Sequence, residues 1–432
     1  MRIPLLIVMV IWLCEASAFP QTRELTVWHP YHGVEEKALH EIAALFSSQR
    51  SGISVRLIAL PTDQFATLFD EAWARRDLPD ALIFDHEKSG AWAAAGRIVP
   101  LPKYFADHIA GLTLPTALES LRHEGRSWGI PLSVSTMLLF RRTDMIANPP
   151  ATTDELISAA RSWVGNDTER FGLAFDNRSV AILSAFFSGF GGGLCMSGPI
   201  VAEHPCLDSA ENAAALAFLA ELVNERLLSP DATLSQATRW FIDGRVPFVI
   251  ADQSFGAALP AATPFSASPL PTVSATGLPM RTPLQVKALY LINAPHTDLP
   301  ATMRFGEFLA STRGAHLRAT RSGQTIATLL AYDEVELHDD PFFNLVRQQA
   351  EKAEPLSARA DMPLLIEPLR NALRAVLEFD RPPREALAAA FTEYDEALHP
   401  PSLQRRIGLS ALVLFLLFLP ALIFSRLLKR RD

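Results

Sequence analysis

The chain has 432 residues, of which 49% are hydrophobic and 20% are charged, and it is therefore long enough for two domains of ordinary size. Its formal net charge is −8. Because the sequence has no basic stripe that could neutralise phosphates, this charge argues against nucleic-acid binding.

The N-terminus predicts export. An apolar run, Ile3–Leu13, follows Arg2, and Ala16–Ala18 supplies the small residues of a signal-peptidase site. The competing interpretation, an uncleaved anchor, is disfavoured because the run is shorter than the about 20 residues that span a bilayer. We therefore expect residues 1–18 to be a signal peptide that is cleaved after Ala18.

Residues 24–101 have the pattern of a strand–helix–strand–helix–strand unit. Its predicted strands are Leu25–Trp28, Ile53–Leu60 and Ala81–Phe84, and its predicted amphipathic helices are Glu35–Ser48 and Asp63–Arg75. The short, wholly apolar third strand is typical of a parallel sheet covered on both faces. Because ligands bind outside the carboxyl ends of the strands in such sheets, we expect a binding crevice at the loops 28–33 and 84–90.

Beyond Leu101 the chain continues to alternate strands and helices. Further predicted helices are Thr153–Val164, Ser179–Phe190, Asp208–Arg226 and Ala237–Gly244, and further predicted strands are Phe171–Phe175, Val246–Ala251 and Leu289–Ile292. Gly129–Phe140 is extended and can pass from one domain to another. Residues 256–284 are rich in Pro, Ala and Ser and predict a surface excursion.

Two cysteines, Cys195 and Cys206, remain after signal cleavage. Turn-forming residues 197–199 lie between them, so an oxidising compartment favours a disulfide that closes a hairpin-like loop. Such a bridge would stabilise the fold by roughly 3 kcal/mol on the chain-entropy model. Metal binding is the competing interpretation, but His204 beside two cysteines is a poor ligand set.

The C-terminus predicts membrane anchoring. Residues 407–425 are uncharged and rich in Leu and Phe, which is typical of a transmembrane helix, and the tail 426–432 is basic and should face the cytoplasm. Residues 399–406 form a short linker. We expect a single-pass protein of the cytoplasmic (inner) membrane, with the bulk of the chain in the periplasm or extracytoplasmic space.

Motifs of enzymes and of cofactor sites are missing from the sequence. It has no nucleophile elbow, zinc motif or kinase signature, and the glycines 191–193 lack the Lys-Ser or Lys-Thr of a phosphate-binding loop. His29 and His32 share one loop, His86 lies in another, and the three lack the spacing of metal ligands. We expect a protein without catalytic residues, metal or cofactor.

Several marks in order resemble a known family, the extracellular solute-binding proteins (family 1) of carbohydrate-type, ATP-driven importers. These marks are Val27–His29, Leu78–Phe84, Gly90 with Ala94–Pro100, Gly129–Pro131 running into Ser135–Phe140, Asn148–Pro150 with Thr153, Phe241 and Gly244 before Val246–Ile250, and Ile292–Ala294. The sequence is similar to maltodextrin-binding and glycerol-3-phosphate-binding proteins over residues 24–398. ABC permease subunits, and through them an ATPase, are the implied partners.

The resemblance implies an α/β fold with two doubly wound lobes joined by crossovers, the type II periplasmic-binding-protein fold, which closes over its ligand like a hinge. Within the binding domain 19–398, lobe 1 is expected at about 24–133 and 285–330, and lobe 2 at about 138–280 and 335–398. The residues that match ligand-binding positions of the family are Trp28, His29, Tyr31 and His32 in the first loop; Phe84, Asp85, His86, Glu87 and Lys88 at the end of the third strand; Ser135 and Thr136 at the crossover; Asp176, Asn177 and Arg178 in the second lobe; and Asp252, Ser254 and Phe255 in a later loop.

Some of these residues have a structural interpretation. Trp28 can fill the core, Glu87 and Lys88 can form a solvated ion pair, and Ser135 can satisfy backbone groups. Maltodextrin binders stack sugars on tryptophans, whereas this chain has Phe84, Ser254 and Ile366 at the matching positions.

The missing rings favour a small sugar, a polyol or a glycerophosphate-like solute over a long oligosaccharide, with Arg178 and Lys88 available for an anion. The alternative is a membrane-anchored sensor or scaffold subunit that keeps the fold without transport-grade ligand binding.

Overall fold

Two β-sheets organise the protein, one in each of two lobes. The computed structural model describes residues 23–49, 52–194, 205–355 and 361–400. The predicted signal peptide, Cys195 and the predicted transmembrane segment 407–425 lie outside these ranges.

The strands are short, as is usual in α/β proteins. They are β1 Arg23–His29, β2 Ile53–Ala59, β3 Ala81–Asp85, β4 Arg122–His123, β5 Arg126–Ser127, β6 Ile130–Ser135, β7 Met137–Arg142, β8 Leu173–Ala174, β9 Phe248–Asp252, β10 Phe265–Ser268, β11 Thr272–Val273, β12 Leu278–Pro279, β13 Pro283–Leu291 and β14 Glu354–Pro355.

The helices connect the strands and cover the sheets. They are α1 Val34–Gln49, α2 Phe65–Arg75, α3 Ser89–Ala94, α4 Lys103–Ala110, α5 Pro115–Glu119, α6 Thr153–Val164, α7 Val180–Gly189, α8 Ala210–Asn224, α9 Leu234–Ile242, α10 Ser254–Ala258, α11 Leu299–Ala310, α12 Thr312–Ser322, α13 Val335–His338, α14 Pro341–Lys352, α15 Met362–Leu377 and α16 Pro383–Leu398. Two 3₁₀ turns, His86–Lys88 and Leu330–Asp333, are added to these.

The first sheet has the strand order β14-β13-β3-β1-β2, and β6 also pairs with β13. Strand β1 is parallel to β2 and β3, as the sequence predicted. Strand β13 runs antiparallel to β3 and β6, so the sheet is mixed. One face packs against α1, α4 and α11, and the other packs against α2, α3, α5 and α14. The sheet is therefore covered on both faces, which explains why β3 is apolar throughout.

The second sheet has the strand order β10-β7-β9-β8. One face packs against α6, α7, α8, α15 and α16, and the other packs against α9 and α10. Helix α6 has the predicted bounds, whereas β8 is shorter than predicted. The predicted surface excursion 256–284 is wrong in part, because β10 pairs with β7 and β11 pairs with β12.

The chain crosses between the two sheets at Thr136, between β6 and β7, and again before β13. Residues 335–355 pack with the first lobe, because β14 pairs with β13 and α14 packs against the first sheet. The prediction that this segment belongs to lobe 2 is therefore wrong. Helices α15 and α16 do pack in the second lobe. In the part of the chain described, no helix is long and apolar enough to cross a membrane.

A buried amide holds the loop that precedes α8. The side chain of Asn212 is fully buried. Its Oδ1 accepts a hydrogen bond from the backbone N–H of Gly193 (3.0 Å), and its Nδ2 donates to the carbonyl oxygens of Gly193 (3.0 Å) and Cys206 (2.8 Å). Cys206 is disulfide-bonded, and its predicted pairing with Cys195 stays a prediction. Asn212 thus stabilises the backbone on both sides of residues 195–204.

We expect Asn212→Ala to lower the free energy of unfolding by about 2–4 kcal/mol, because it leaves several buried backbone groups unpaired. Asn224→Ala is the matched control, since Asn224 is exposed at the end of the same helix. Urea unfolding of both variants measures the difference. Equal stability of the two variants would contradict the proposed role of Asn212.

Candidate functional site

A cavity of about 850 Å³ lies between the two lobes. Its walls combine charged, amide and hydroxyl side chains with aromatic ones, and both lobes contribute. The lining residues include Glu35, Asp85, Ser133, Ser135, Gln285, Lys287, Gln324, Thr325, Phe342 and Phe343 from the first lobe, and Asp252, Gln253, Ser254 and Phe265 from the second. This volume lies within the range of small-molecule sites.

Strand pairing explains why polar side chains meet at one wall of the cavity. Lys287 on β13 lies opposite Asp85 on β3 and opposite Ser133 on β6. Gln285 and Ser135 form the next pair along the same strands. Because side chains alternate between the two faces of a strand, residues two apart point the same way. The register thus places a row of donors and acceptors on the cavity side of the first sheet.

An ion pair lies at the centre of this row. Lys287 Nζ is 2.8 Å from Asp85 Oδ1. Burial disfavours the ammonium charge, but the charge and hydrogen bond of Asp85, together with Tyr31 and Glu35, more than offset this, so the pKa of Lys287 is raised. The ring of Tyr31 lies 6.0 Å from the same ammonium group. Lys287 is therefore held charged and in a fixed position at the cavity wall.

A second polar chain approaches the cavity from α1 and α12. Gln324 Nε2 donates a hydrogen bond to Glu35 Oε1 (3.1 Å), and Arg318 Nη1 donates to Gln324 Oε1 (3.3 Å). Arg318 is only 2% exposed, and burial lowers its pKa. This buried guanidinium orients Gln324 and, through it, the carboxylate of Glu35.

Gln253 connects the two lobes at the back of the cavity. Its Oε1 accepts hydrogen bonds from Ser135 Oγ and from the backbone N–H of Thr136, both at 3.1 Å. Its Nε2 donates to the carbonyl oxygen of Val134 and to Thr325 Oγ1, both at 3.0 Å. All four contacts are to the first lobe or to the crossover.

Aromatic side chains form another part of the cavity lining. Phe265 comes from the edge strand β10 of the second lobe, and Phe342 and Phe343 come from the start of α14 in the first. An apolar sugar face can pack on such rings while its hydroxyls meet polar groups.

A smaller cavity of about 160 Å³ continues beyond Gln285, whose side chain lines both spaces. Glu87 from the first lobe and Arg178 and Arg370 from the second line it. Burial and the nearby Asp85 carboxylate raise the pKa of Glu87. Gln285 Nε2 is 3.5 Å from Glu87 Oε1. The cleft therefore has a second compartment with charges of both signs.

The structure brings together some of the predicted site residues. Asp85, Ser135, Asp252 and Ser254 line the large cavity, and Glu87 and Arg178 line the small one. Ligand binding by these six residues stays a prediction.

The other predicted residues do not line these two cavities. Phe84, Phe255, His29, Tyr31, His86, Thr136 and Asn177 are buried, His32 is exposed, and Trp28, Lys88 and Asp176 are partly buried. Phe84 stacks on Phe65, with ring centroids 4.4 Å apart. Asn177 Nδ2 donates to the carbonyl oxygen of Ser229 (2.8 Å), and the backbone N–H of Val286 donates to His86 Nδ1 (3.1 Å). These contacts fit a structural role.

Several lining residues were missed from the sequence, namely Glu35, Gln253, Gln285, Lys287, Gln324, Phe265 and Phe342. The signal for two of them is a pair of polar positions, Gln285 and Lys287, at spacing two in the otherwise apolar strand β13. Within the described residues, no group of three His, Cys, Asp or Glu side chains could hold a metal ion.

Comparison with known proteins gives one family and several structural relatives. The sequence profile of the family described as bacterial extracellular solute-binding protein matches residues 41–344. The maltotriose-binding protein of Pyrococcus abyssi is 26% identical over 200 residues, which are 46% of this chain and 43% of that protein. The match thus spans less than half of the length of this relative.

Solved structures share the fold along nearly their whole length. A cyclo/maltodextrin-binding protein complexed with maltotetraose superposes with a TM-score of 0.78 at 20% identity, covering 87% of this chain and 97% of the other. The maltose/maltodextrin-binding domain of Bdellovibrio bacteriovorus, bound to maltotriose, gives 0.74 at 18% identity, covering 87% and 100%. At these identities the likeness shows the two-lobed periplasmic-binding-protein fold.

Burial of His29 at the end of β1 predicts acid sensitivity. The ring is fully buried, and burial lowers its pKa from 6.5 to about 4, with Glu36 opposing the shift and His32 and His40 adding to it. Between pH 6.5 and 4 the unfolded chain binds a proton that the folded chain does not. Stability from the neutral ring is therefore complete above pH 6.5 and falls by about 3 kcal/mol as the pH drops to 4.

We expect His29→Gln to remove most of this pH dependence, because glutamine cannot take up the proton. The free energy of urea unfolding, measured at pH 7.5 and 4.5, should fall by about 2–3 kcal/mol less in this variant than in the wild type. His338→Gln is the matched control, since His338 is exposed and is not among the groups that shift the pKa of His29, and it should behave like the wild type. The same pH dependence in all three proteins would show that His29 is not the group responsible.

Proposed function

Because this chain belongs to the bacterial extracellular solute-binding proteins, we propose that it is the substrate-binding component of an ABC importer and captures a small sugar by lobe closure. The observation that carries the proposal is the cavity of about 850 Å³ between the lobes, which is lined by charged and amide side chains together with aromatic rings. It would deliver the solute to permease subunits that an ATPase drives.

The chemistry of the cavity suits hydroxyl groups. Asp85 and Asp252 offer acceptor oxygens, and Lys287 and Gln285 offer donors. Hydrogen bonds to charged groups are stronger than neutral ones, and in a closed cleft water does not compete with them. Polar groups that already have fixed partners, such as Lys287 beside Asp85, need little reorganisation when a sugar replaces water.

Residues from both lobes line the cavity, and this arrangement couples binding to closure. Asp85 and Lys287 belong to the first lobe, whereas Asp252, Ser254 and Phe265 belong to the second. A solute that contacts both sets binds the closed form more tightly than the open one and shifts the population towards it. Through this closure a binding protein can signal that a solute is bound.

The size of the solute follows from the aromatic side chains. Phe84 is buried against Phe65, so it offers no stacking surface, and Ser254 and Ile366 line the cavities without a ring. The rings that do face the large cavity are phenylalanines. The relatives named above, which bind maltotriose or maltotetraose, support a sugar. We infer a short sugar, and we keep polyols and glycerophosphate-like solutes as candidates because Arg178 and Arg370 line the small cavity.

A membrane tether is part of the proposal. Helix α16 ends at Leu398 and packs in the second lobe. The linker 399–406 and the apolar segment 407–425 follow it in the sequence. The second lobe would thus be attached to the inner membrane, with the binding domain in the periplasm near its permease.

We expect at least one member of a panel of maltose, maltotriose, polyols and glycerophosphodiesters to raise the melting temperature of the protein. A solute at 100 times its Kd stabilises the folded state by about 2.7 kcal/mol. Lys287→Met should lower the affinity for the solute that binds best by roughly 10- to 100-fold, because it removes a charged donor. Lys103→Met is the matched control, since Lys103 forms an exposed ion pair of the same length, 2.8 Å.

Three outcomes would overturn the proposal. No shift across the panel would favour a sensor or scaffold subunit that keeps the fold without such binding. Turnover of any of these compounds would indicate an enzyme. An equal loss of affinity in the Lys287 and Lys103 variants would place the binding site elsewhere.

We expect the tether to raise the effective concentration of the binding domain at its permease. Deletion of residues 407–432 should therefore reduce solute uptake at low solute concentration, when expression is matched. Replacement of the segment by an unrelated single transmembrane helix should restore uptake. If the deleted form supports uptake as well as the full chain, the tether has another role.

A further inference from the structure

Gln253 occupies an unusual place between the lobes. It directly follows β9, an inner strand of the second sheet, yet its side chain bonds to β6 and to the loop after α12, both in the first lobe. It also lines the large cavity. One side chain therefore touches both lobes and the space where a solute would sit.

The hydrogen-bonding capacity of this amide is fully used. A primary amide has two acceptor sites on oxygen and two N–H donors. Gln253 Oε1 accepts from Ser135 and Thr136, and Nε2 donates to Val134 and Thr325. A solute can bond to this amide only by displacing one of these partners. Gln253 is therefore better placed to act on the lobes than to contact cargo.

The partners of Gln253 lie in or next to the crossover segments that connect the two lobes. Ser135 and Thr136 form the crossover from β6 to β7. The Thr136 hydroxyl also bonds to the Thr282 hydroxyl in the crossover before β13, and both residues are buried. Rotation of one lobe against the other has to change backbone dihedrals at these positions, and it has to break the bonds that reach from Gln253 to Val134 and Thr325.

We propose that Gln253 is a positioning residue that sets the resting angle between the lobes. It would thereby determine how much free energy solute binding must supply to close them. The inference builds on the proposed function, because a resting angle matters for uptake only in a binding protein. Its direct consequence is a property of the solute-free protein. It predicts that loss of the Nε2 donors releases the lobes while leaving each lobe folded.

Gln253→Glu tests the donors separately from the acceptor. The glutamate keeps an oxygen for Ser135 and Thr136, but at neutral pH it places a second oxygen against the carbonyl oxygen of Val134. Protonation of the carboxyl group restores one O–H donor in the same place, and burial raises the pKa of such a group. The contact between the side chain of residue 253 and the carbonyl oxygen of Val134 should therefore be lost at pH 7.5 and re-form at pH 5. A role in folding alone would instead lower the free energy of unfolding at pH 7.5 relative to pH 5, which urea unfolding of the same variant measures.

The readout is the distance between the lobes in the full chain, held in detergent without solute. Spin labels at Lys37→Cys on α1 and Glu221→Cys on α8, both exposed positions on opposite lobes, report it by double electron–electron resonance. Cys206 stays in its disulfide. We expect the long-distance population in Gln253→Glu to exceed that of the wild type at least threefold at pH 7.5, and to return towards the wild type at pH 5.

Two further variants complete the test. Thr325→Val removes one acceptor of Nε2 and should increase the long-distance population less than Gln253→Glu does, with no response to pH. Gln348→Glu adds the same charge at an exposed position of α14 and should match the wild type. Wild-type distances in Gln253→Glu and Thr325→Val at both pH values would overturn the inference. Because no solute is present, this result is separable from a failure of the sugar panel.

Discussion

The position of β13 is the constraint on which the structure depends. This strand lies antiparallel between β3 and β6, two strands that come much earlier in the chain. Because the chain must return to fill the gap, everything between β6 and β13 forms an insertion, and that insertion is most of the second lobe. The same pairing carries Gln285 and Lys287 to the wall of the cleft. Fold and site thus follow from one strand placement.

Local patterns predicted much of the fold. The spacing of apolar residues predicted both ends of α6 correctly, and it predicted the ends of β1, β3 and α1 within a few positions. The sequence did not predict those elements whose strand partners lie far away in the chain. Strand β10 lies in a stretch rich in Pro, Ala and Ser, and it is a strand because β7 offers it a free edge. Residues 335–355 pack with the first lobe because β14 completes β13. Neither partner is visible in a local window.

The candidate site was predictable in part for a related reason. Carboxyl ends of strands pointed to Asp85 and Asp252, which do line the cleft. Phe84 precedes Asp85 on β3 and points to the other face, and Phe255 lies in helix α10 after the strand, so both are core. Gln253 and Gln324 act through partners that are far away in sequence, and an amide has no pattern of its own. The best unused signal was polar residues at spacing two inside apolar strands, because such residues share one face.

The late arrival of β13 has a consequence for synthesis. Until residues 283–291 emerge, β3 and β6 have no common neighbour, and their backbone N–H and C=O groups form open edges. The first lobe therefore cannot finish folding while the long insertion is being made. Such edges are templates for wrong pairing between chains. A newly made chain thus benefits from delayed folding or from a chaperone until its last third is complete.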